Sequence, residues 1–180
     1  MNKKYPKIVL SLLFVLLILS LVWLASWKTY YFPNDQGLIK YPPTWNVTYN
    51  GSSSGFIRSE EGIAEVYINQ DFRLNDLPLQ EDVKLRSQKW GISTTKEIKI
   101  AHEQGYLTDN PETKGSLLAG QYIDTSYNGY IYTFQFYYAE TSIGRMWEKF
   151  IDFLMIHSIY FNPNAKPTNS VRYMLKNALY

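Results

Sequence analysis

An unbroken apolar run of twenty residues, from Ile8 to Trp27, constrains this chain more than any other feature of its sequence. Fourteen of the twenty residues are Leu, Ile, Val or Phe, and none is charged. At 1.5 Å per residue, a helix of this length would cover about 30 Å, the thickness of the hydrocarbon core of a bilayer. The run therefore predicts a transmembrane signal-anchor helix over residues 8–27.

The charges around this run predict its orientation. Lys3, Lys4 and Lys7 precede it, and no acidic residue does. Because basic residues favour the cytoplasmic side, residues 1–7 are expected to be a cytoplasmic N-terminus on a single-pass protein of the cell membrane, with an extracytoplasmic C-terminal domain. A cleaved signal peptide is the competing interpretation. It is disfavoured because the run exceeds a normal signal h-region and lacks a small-x-small cleavage site.

The rest of the chain is nearly neutral. From Lys28 onward, fifteen basic residues face sixteen acidic ones, a formal charge of −1 over 153 residues. That length suits one domain. The balance lacks the basic footprint of nucleic-acid binding, so no nucleic-acid partner is expected. The absence of Cys excludes disulfides, thiolate metal sites, thiol catalysis and a lipoprotein anchor.

Alternating hydrophobicity predicts a series of strands after the apolar run. Residues 28–36 contain the turn-forming sequence Pro-Asn-Asp and are expected to be a tether. A first strand over residues 37–41 follows, ended by two prolines. Trp45, Val47 and Tyr49 alternate with polar residues, which predicts one face of a half-buried strand. Further strands are expected at residues 56–59, 64–68, 92–101 and 117–127.

The pair Asn128-Gly129 is the strongest local signal, because it is preferred in tight type I′ hairpins. After it, aromatic side chains alternate along one face of a strand. Such a stripe can bind sugars or bases, but a sheet also needs one to pack against a helix, and we expect it to be core. The stripe consists of Tyr130, Tyr132, Phe134, Phe136 and Tyr138.

Two helices are predicted within the domain. Asp76 can cap the first and Gly91 can end it. The second, over residues 143–158, is expected to bury one apolar face opposite its charged residues. That face comprises Met146, Trp147, Phe150, Ile151, Leu154 and Ser158. The order of elements predicts an α+β fold, an antiparallel β-sheet flanked by helices, over residues 37–161.

Two segments resemble PsbP/Mog1-like domains. Residues 37–47, GLIKYPPTWNV, are similar to the family's opening strand, Tyr-Pro pair and Trp, and residues 147–161 are similar to its last helix and closing strand. The resemblance implies an antiparallel sheet flanked by helices and a binding or assembly role without a catalytic set. The family's best known members are a lumenal subunit of the oxygen-evolving complex and a Ran-binding nuclear protein. The apolar run makes the nuclear role implausible here.

The sequence offers few candidates for catalytic or metal-binding residues. His102, expected at a strand end beside Glu103, and His157, near the end of the last helix, show no metal-ligand spacing. No nucleophile elbow, P-loop or dinucleotide motif occurs. We therefore expect no catalytic residue, no cofactor, no metal and no enzyme. One alternative is a cell-envelope hydrolase whose Ser, His and carboxylates assemble in space. Another is a carbohydrate-binding module, which needs two or more aromatics exposed in a row on one sheet face.

The C-terminal residues 162–180 are predicted to be a linker and a short amphipathic helix. Apolar residues recur at helical spacing along one side, and eleven residues are marginal as an isolated helix, so this side needs a surface. It would dock either on the protein's own domain or on a partner or membrane surface. The possible partner-binding residues are Val171, Met174, Leu175, Ala178 and Leu179.

Together these features predict a membrane-anchored, extracytoplasmic, non-enzymatic binding or assembly module. It would contact the membrane through the run from Ile8 to Trp27 and would bind an envelope protein that the sequence does not identify.

Overall fold

The computed structural model describes residues 5–60, 64–72, 78–89, 95–109, 120–137 and 142–165. The first helix, α1, spans Tyr5–Ala25. Its large apolar side chains from Val9 to Val22 are exposed, whereas Trp23 is half-buried and Trp27, just beyond the helix, is buried. Counted over the residues described, no helix combines the length and the apolar character needed to cross a membrane.

Seven strands form one antiparallel sheet, called here the large sheet. Their order across the sheet is β3-β4-β5-β9-β8-β7-β6, so the long strands β5, β9 and β8 lie at the centre. The prediction of an α+β fold with antiparallel strands flanked by helices is confirmed. The strands are β3 (Asn46–Asn50), β4 (Ser54–Arg58), β5 (Glu65–Phe72), β6 (Thr95–Ile100), β7 (Glu103–Asp109), β8 (Gly120–Tyr127) and β9 (Tyr130–Tyr137).

A second, small sheet has the order β1-β2-β10, with strands Lys28–Tyr31, Gly37–Tyr41 and Tyr160–Phe161. The tether predicted over residues 28–36 is therefore wrong, because this segment forms β1 and a 3₁₀ turn at Pro33–Asp35. Tyr30 and Phe32 are buried in it. Pro33 and the residues after it do form a turn, but the turn joins two paired strands of the domain.

The core lies between the large sheet and the small one. Tyr130, Tyr132, Phe134 and Phe136 point inward from β9 and are at most 2% exposed, which confirms the prediction for these four; Tyr138 lies outside the described residues. The ring of Phe32 packs 5.5 Å from that of Tyr132 and 5.7 Å from that of Phe134, measured between centroids. The small sheet thus supplies the aromatic cover that the stripe requires.

Two tight hairpins shape the large sheet at the same end. Asn128 and Gly129 join β8 to β9 with φ of 54° and 81°, as the type I′ prediction requires. Ala101 and His102 join β6 to β7 with φ of 48° and 75°. The sequence missed β7 and this second turn, and His102 lies in the turn rather than on a strand end.

A β-bulge changes the face of β3. Val47 pairs with Ile57, but the register then shifts and Tyr49 pairs with Phe56. The extra residue between the two pairs turns Tyr49 to the opposite face from Val47. The prediction of a shared, half-buried face is therefore wrong: all five residues of β3 are exposed, and only Trp45 before the strand is buried.

The remaining helices cover the two faces of the large sheet. α2 (Leu79–Lys89) packs against β7 and β8 through Val83 and Ser87. Its predicted cap and stop, Asp76 and Gly91, lie outside the described residues. α3 (Ser142–His157) covers the inner side next to β2. The layers are therefore α2, the large sheet, and then the small sheet with α3.

Candidate functional site

The outward face of α3 carries a large apolar surface that the described part of the domain leaves exposed. Met146 is 73% exposed, Trp147 57%, Phe150 48% and Phe153 53%. We call these four residues the α3 stripe. The helix buries Ile151, Asp152 and Met155 instead. The predicted face was right for Ile151 and wrong for Met146, Trp147 and Phe150, because α3 is rotated about its axis from the orientation that the sequence suggested.

The α3 stripe begins where α1 meets the domain. The ring centroids of Trp147 and Trp23 lie 6.0 Å apart, and Trp23 in turn packs edge-on against Trp27 at 5.2 Å. A cleft of about 360 Å³ opens beside these rings and is lined also by Trp45 and Glu60. We call this region the junction cleft. It connects the apolar surface of α1 to that of α3.

A second aromatic surface crosses the outer face of the large sheet. Tyr49, Phe56 and Tyr67 stand opposite one another in register on β3, β4 and β5. Their ring centroids are 6.0 Å and 4.5 Å apart, and Tyr49 is 52% exposed. We call these residues the outer row. A carbohydrate-binding module needs two or more exposed aromatics in a row; here Tyr49 is exposed, and Phe56 and Tyr67 are half-buried. The row was missed because the bulge in β3 cannot be predicted from alternation.

The outer row continues toward partly buried polar residues on the central strands. Gln135 of β9 pairs with Tyr67 and also with Tyr122 of β8. The hydroxyl of Tyr137 donates to Oε1 of Gln135 at 2.7 Å. Burial, with a smaller effect from neighbouring Tyr122, raises the pKa of Tyr137, so its hydroxyl stays protonated and keeps its donor role.

Under α2, the same outer face carries a buried charged cluster. Asp124 accepts hydrogen bonds from Thr133 Oγ1 at 2.6 Å and from Arg86 Nη1 at 3.1 Å. Arg86 also pairs with Asp82 one turn earlier on α2. Burial raises the pKa of Asp124 in spite of the attraction of Arg86. The cluster is best explained as the connection between α2 and the sheet.

The two histidines, far apart in the sequence, line one cleft at the opposite end of the domain. This distal cleft of about 480 Å³ also contains Lys99, Glu103 and Tyr160. His157 Nδ1 contacts the backbone oxygen of Phe153 at 2.7 Å, a contact within α3. Across the described ranges, no hydrogen bond or ion pair joins either histidine to a carboxylate or a serine, which is the contact that the hydrolase alternative requires.

Other predicted features fall outside what the structure can place. Val171, Met174, Leu175, Ala178 and Leu179 lie outside the described residues, so the predicted C-terminal helix stays a prediction. The last described segment ends against the β8–β9 turn, where Asn128 Nδ2 donates to the backbone oxygen of Ala165. Within the described residues, no group of three or more His, Asp or Glu could hold a metal ion.

Comparison with known structures gives the fold a class. The solution structure of cyanobacterial PsbP (CyanoP) from Synechocystis matches with a TM-score of 0.56 and 14% identity, over 77% of this chain and 94% of that one. A crystal structure from Bacteroides thetaiotaomicron matches with a TM-score of 0.54 and 12% identity, over 83% of this chain but only 57% of its own length. No family model and no curated protein matches the sequence. The domain therefore has a PsbP-like fold, and identities this low show the fold alone.

Proposed function

We propose that this protein is a membrane-tethered, extracytoplasmic binding or assembly module that does not act as an enzyme. The observation that carries the proposal is the isolation of α1: its apolar side chains from Val9 to Val22 are exposed, and only its last turn reaches the domain. Exposing so many Leu, Ile and Val side chains to water would be strongly unfavourable. A lipid environment removes that cost.

The tether rests on the sequence of the run and on these exposures. It stands against the finding that no described helix has the length and apolar character needed to cross a membrane. The buried core begins at Trp27, and of the described residues of α1 only Trp23 packs against it. The basic residues Lys3, Lys4 and Lys7 precede the run, which supports a cytoplasmic N-terminus and an extracytoplasmic domain.

The binding role is supported by the likeness of the fold to cyanobacterial PsbP and by the exposed apolar residues of the α3 stripe. Single exposed apolar residues are ordinary, but contiguous patches on a domain mark sites of interaction. The proposed partner is a protein of the cell envelope.

The tether can be tested by making α1 polar. Leu13, Leu16 and Leu17 are exposed and lie far from the domain, so replacing all three with Lys should leave folding intact. Each Lys near the centre of a span opposes insertion by about 2.5–3.5 kcal/mol, and the variant should move from the membrane to the soluble fraction. The matched control replaces the same residues with Val and should stay in the membrane. A triple Lys variant that still sediments with membranes and resists carbonate extraction would contradict the tether.

The binding role can be tested by crosslinking in intact membranes, followed by purification of the full chain. We expect a discrete crosslinked species in which this chain is joined to one envelope protein. The Lys variant of α1, kept in solution, provides the background. If the full chain in membranes yields only itself, or the same products as that soluble variant, the assembly role fails.

The outer row favours a second candidate function, the binding of an envelope carbohydrate. Three neighbouring aromatic rings in one line across a sheet can stack on successive sugar rings. The test is co-sedimentation of the domain with insoluble cell-wall glycans. Changing Tyr49 and Tyr67 to Ala should abolish it, whereas Tyr31→Ala, at an exposed tyrosine on β1, should not. Equal retention of both variants would remove this candidate.

A further inference from the structure

We propose that the N-terminal end of α3 is a second membrane contact, with Met146 and Trp147 lying in the lipid headgroup layer beside the end of α1. The inference rests on the proposed function, because it takes α1 as the anchor, and it names a lipid surface as the occupant of this end of the α3 stripe.

The position of Trp23 in α1 indicates its depth in the membrane. Trp23 lies four residues before the end of the apolar run, in the last turn of α1. Tryptophan at that position in a spanning helix sits at the level of the headgroups, where its ring is buried and its N–H stays hydrated. The headgroup layer is about 5–8 Å thick on each side of the hydrocarbon.

The contact between the two tryptophans places the N-terminal end of α3 at a similar depth. The ring centroids of Trp23 and Trp147 are 6.0 Å apart, a separation comparable with the thickness of the layer. Trp147 therefore lies within the headgroup layer or at its edge. Met146, the residue before Trp147 and the most exposed of the stripe, projects from the same turn of α3.

The remainder of the α3 stripe continues along the helix from this contact. The ring of Phe150 follows that of Trp147 at 5.7 Å, and Phe153 lies one turn further on. A protein partner would explain an isolated patch equally well. It would not explain why the patch starts beside the end of α1, where the rings of Trp23 and Trp147 are in contact, and this contact favours lipid.

A contact at this end would hold the domain upright on the bilayer. Ala64 lines the junction cleft, and its neighbour Glu65 pairs with Tyr137, at the end of β9 away from the Asn128-Gly129 turn. An eight-residue strand spans about 26 Å at 3.3 Å per residue. The distal cleft, beside that turn, would then lie on the side of the domain that faces away from the membrane.

The natural absence of Cys makes a site-specific test simple. Single-Cys variants of the full chain would carry a spin label at Leu17, Met146, Phe153 or Lys99, and be reconstituted in liposomes containing anionic lipid. Oxygen concentrates in the bilayer and a nickel chelate concentrates in water, so the ratio of their collision rates reports depth. All four positions are exposed, and circular dichroism would confirm folding.

We expect the ratio at Leu17 to be the highest, that at Lys99 to be fully aqueous, and that at Met146 to lie between them, with Phe153 closer to Lys99. A lipid signal at Leu17 with an aqueous signal at Met146 would overturn the inference and leave the tether standing. Low accessibility to both reagents at Met146 would also overturn it, because a protein rather than lipid would then cover this end of the stripe. An aqueous signal at Leu17 would overturn the tether and this inference together.

Discussion

The stripe on β9 and the stripe on α3 consist of similar side chains but differ in exposure. Four aromatic rings on β9 are at most 2% exposed, whereas the four large apolar residues on α3 are 48% exposed or more. Both stripes follow the period of their own element, 2 for the strand and about 3.6 for the helix. What differs is the cover: β9 faces Phe32 and Phe161 of the small-sheet region, and the described residues place no element over the α3 stripe.

Hydrophobic periodicity therefore predicts which face of a helix or strand is buried only when that element has a single apolar face. The helix α3 has apolar residues on two sides, and the sheet takes the side with Ile151 and Met155. The other side then remains for something outside the domain. The β9 stripe therefore stabilises the domain, whereas the α3 stripe is a surface for interaction. The changes described next test this difference, beginning with one residue from each stripe.

The largest expected effect is on the buried stripe. Phe134→Ala removes a fully buried ring that packs on Phe32, and the cavity should lower the free energy of unfolding by about 3–5 kcal/mol. Denaturant unfolding of the full chain in detergent would measure it.

The matched change on the other stripe is Phe153→Ala, which should alter the free energy of unfolding by less than about 0.5 kcal/mol. Equal losses at Phe134 and Phe153 would mean that α3 has the same structural role on both sides, and the comparison would fail.

An effect smaller than that of Phe134→Ala is expected at the turn that sets the register of β9. Asn128 adopts φ of 54° and its side chain donates to Gln36 Oε1 at 3.2 Å as well as to Ala165. Asn128→Ala should cost about 2 kcal/mol through left-handed strain and lost hydrogen bonds. The change Ala101→Asn at the other hairpin should instead stabilise the domain, because Asn tolerates that conformation better than Ala. Thermal melting of both variants would show opposite signs, and shifts of the same sign would contradict this account of the turns.

The last prediction concerns Asp124, a carboxyl group that is buried beneath α2. Because burial raises its pKa, the folded state binds its proton more tightly than the unfolded state, whose pKa is about 3.9. The stabilisation from this group is therefore complete below that pH and is lost as the pH rises through the raised pKa. Unfolding curves between pH 3 and 7 should show this fall in wild type.

In Asp124→Asn the part of the fall that comes from Asp124 should be lost, because the amide does not titrate. Glu81→Gln, at an exposed carboxylate on α2, should keep the fall seen in wild type. A contribution of Asp124 that grows with pH would show that Arg86 outweighs burial.

Much of the domain was predictable because local chemistry agreed with the fold. Gly37–Tyr41 forms the predicted strand, Asn128-Gly129 forms the predicted turn, and the strand predicted at residues 64–68 overlaps β5. β7 was missed because Ala101-His102 carries no turn signal, although it adopts the same left-handed conformations as Asn128-Gly129.

The surfaces proposed for function were the least predictable part. The outer row depends on a one-residue bulge in β3, and the α3 stripe depends on which side of a doubly apolar helix meets the sheet. Both are decided by tertiary packing. A useful signal was present in α3, where apolar residues occupy most positions from Met146 to Ile156, too many for a helix with one buried face.

The orientation of the chain across the membrane is the central claim, and cysteine labelling of intact cells tests it most directly. A membrane-impermeant maleimide would be applied to cells expressing either Lys99→Cys, in the domain, or Asn2→Cys, before the apolar run. The proposal predicts that Lys99→Cys is labelled in intact cells and that Asn2→Cys is labelled only after lysis. Labelling of Asn2→Cys in intact cells, or of Lys99→Cys only after lysis, would contradict it.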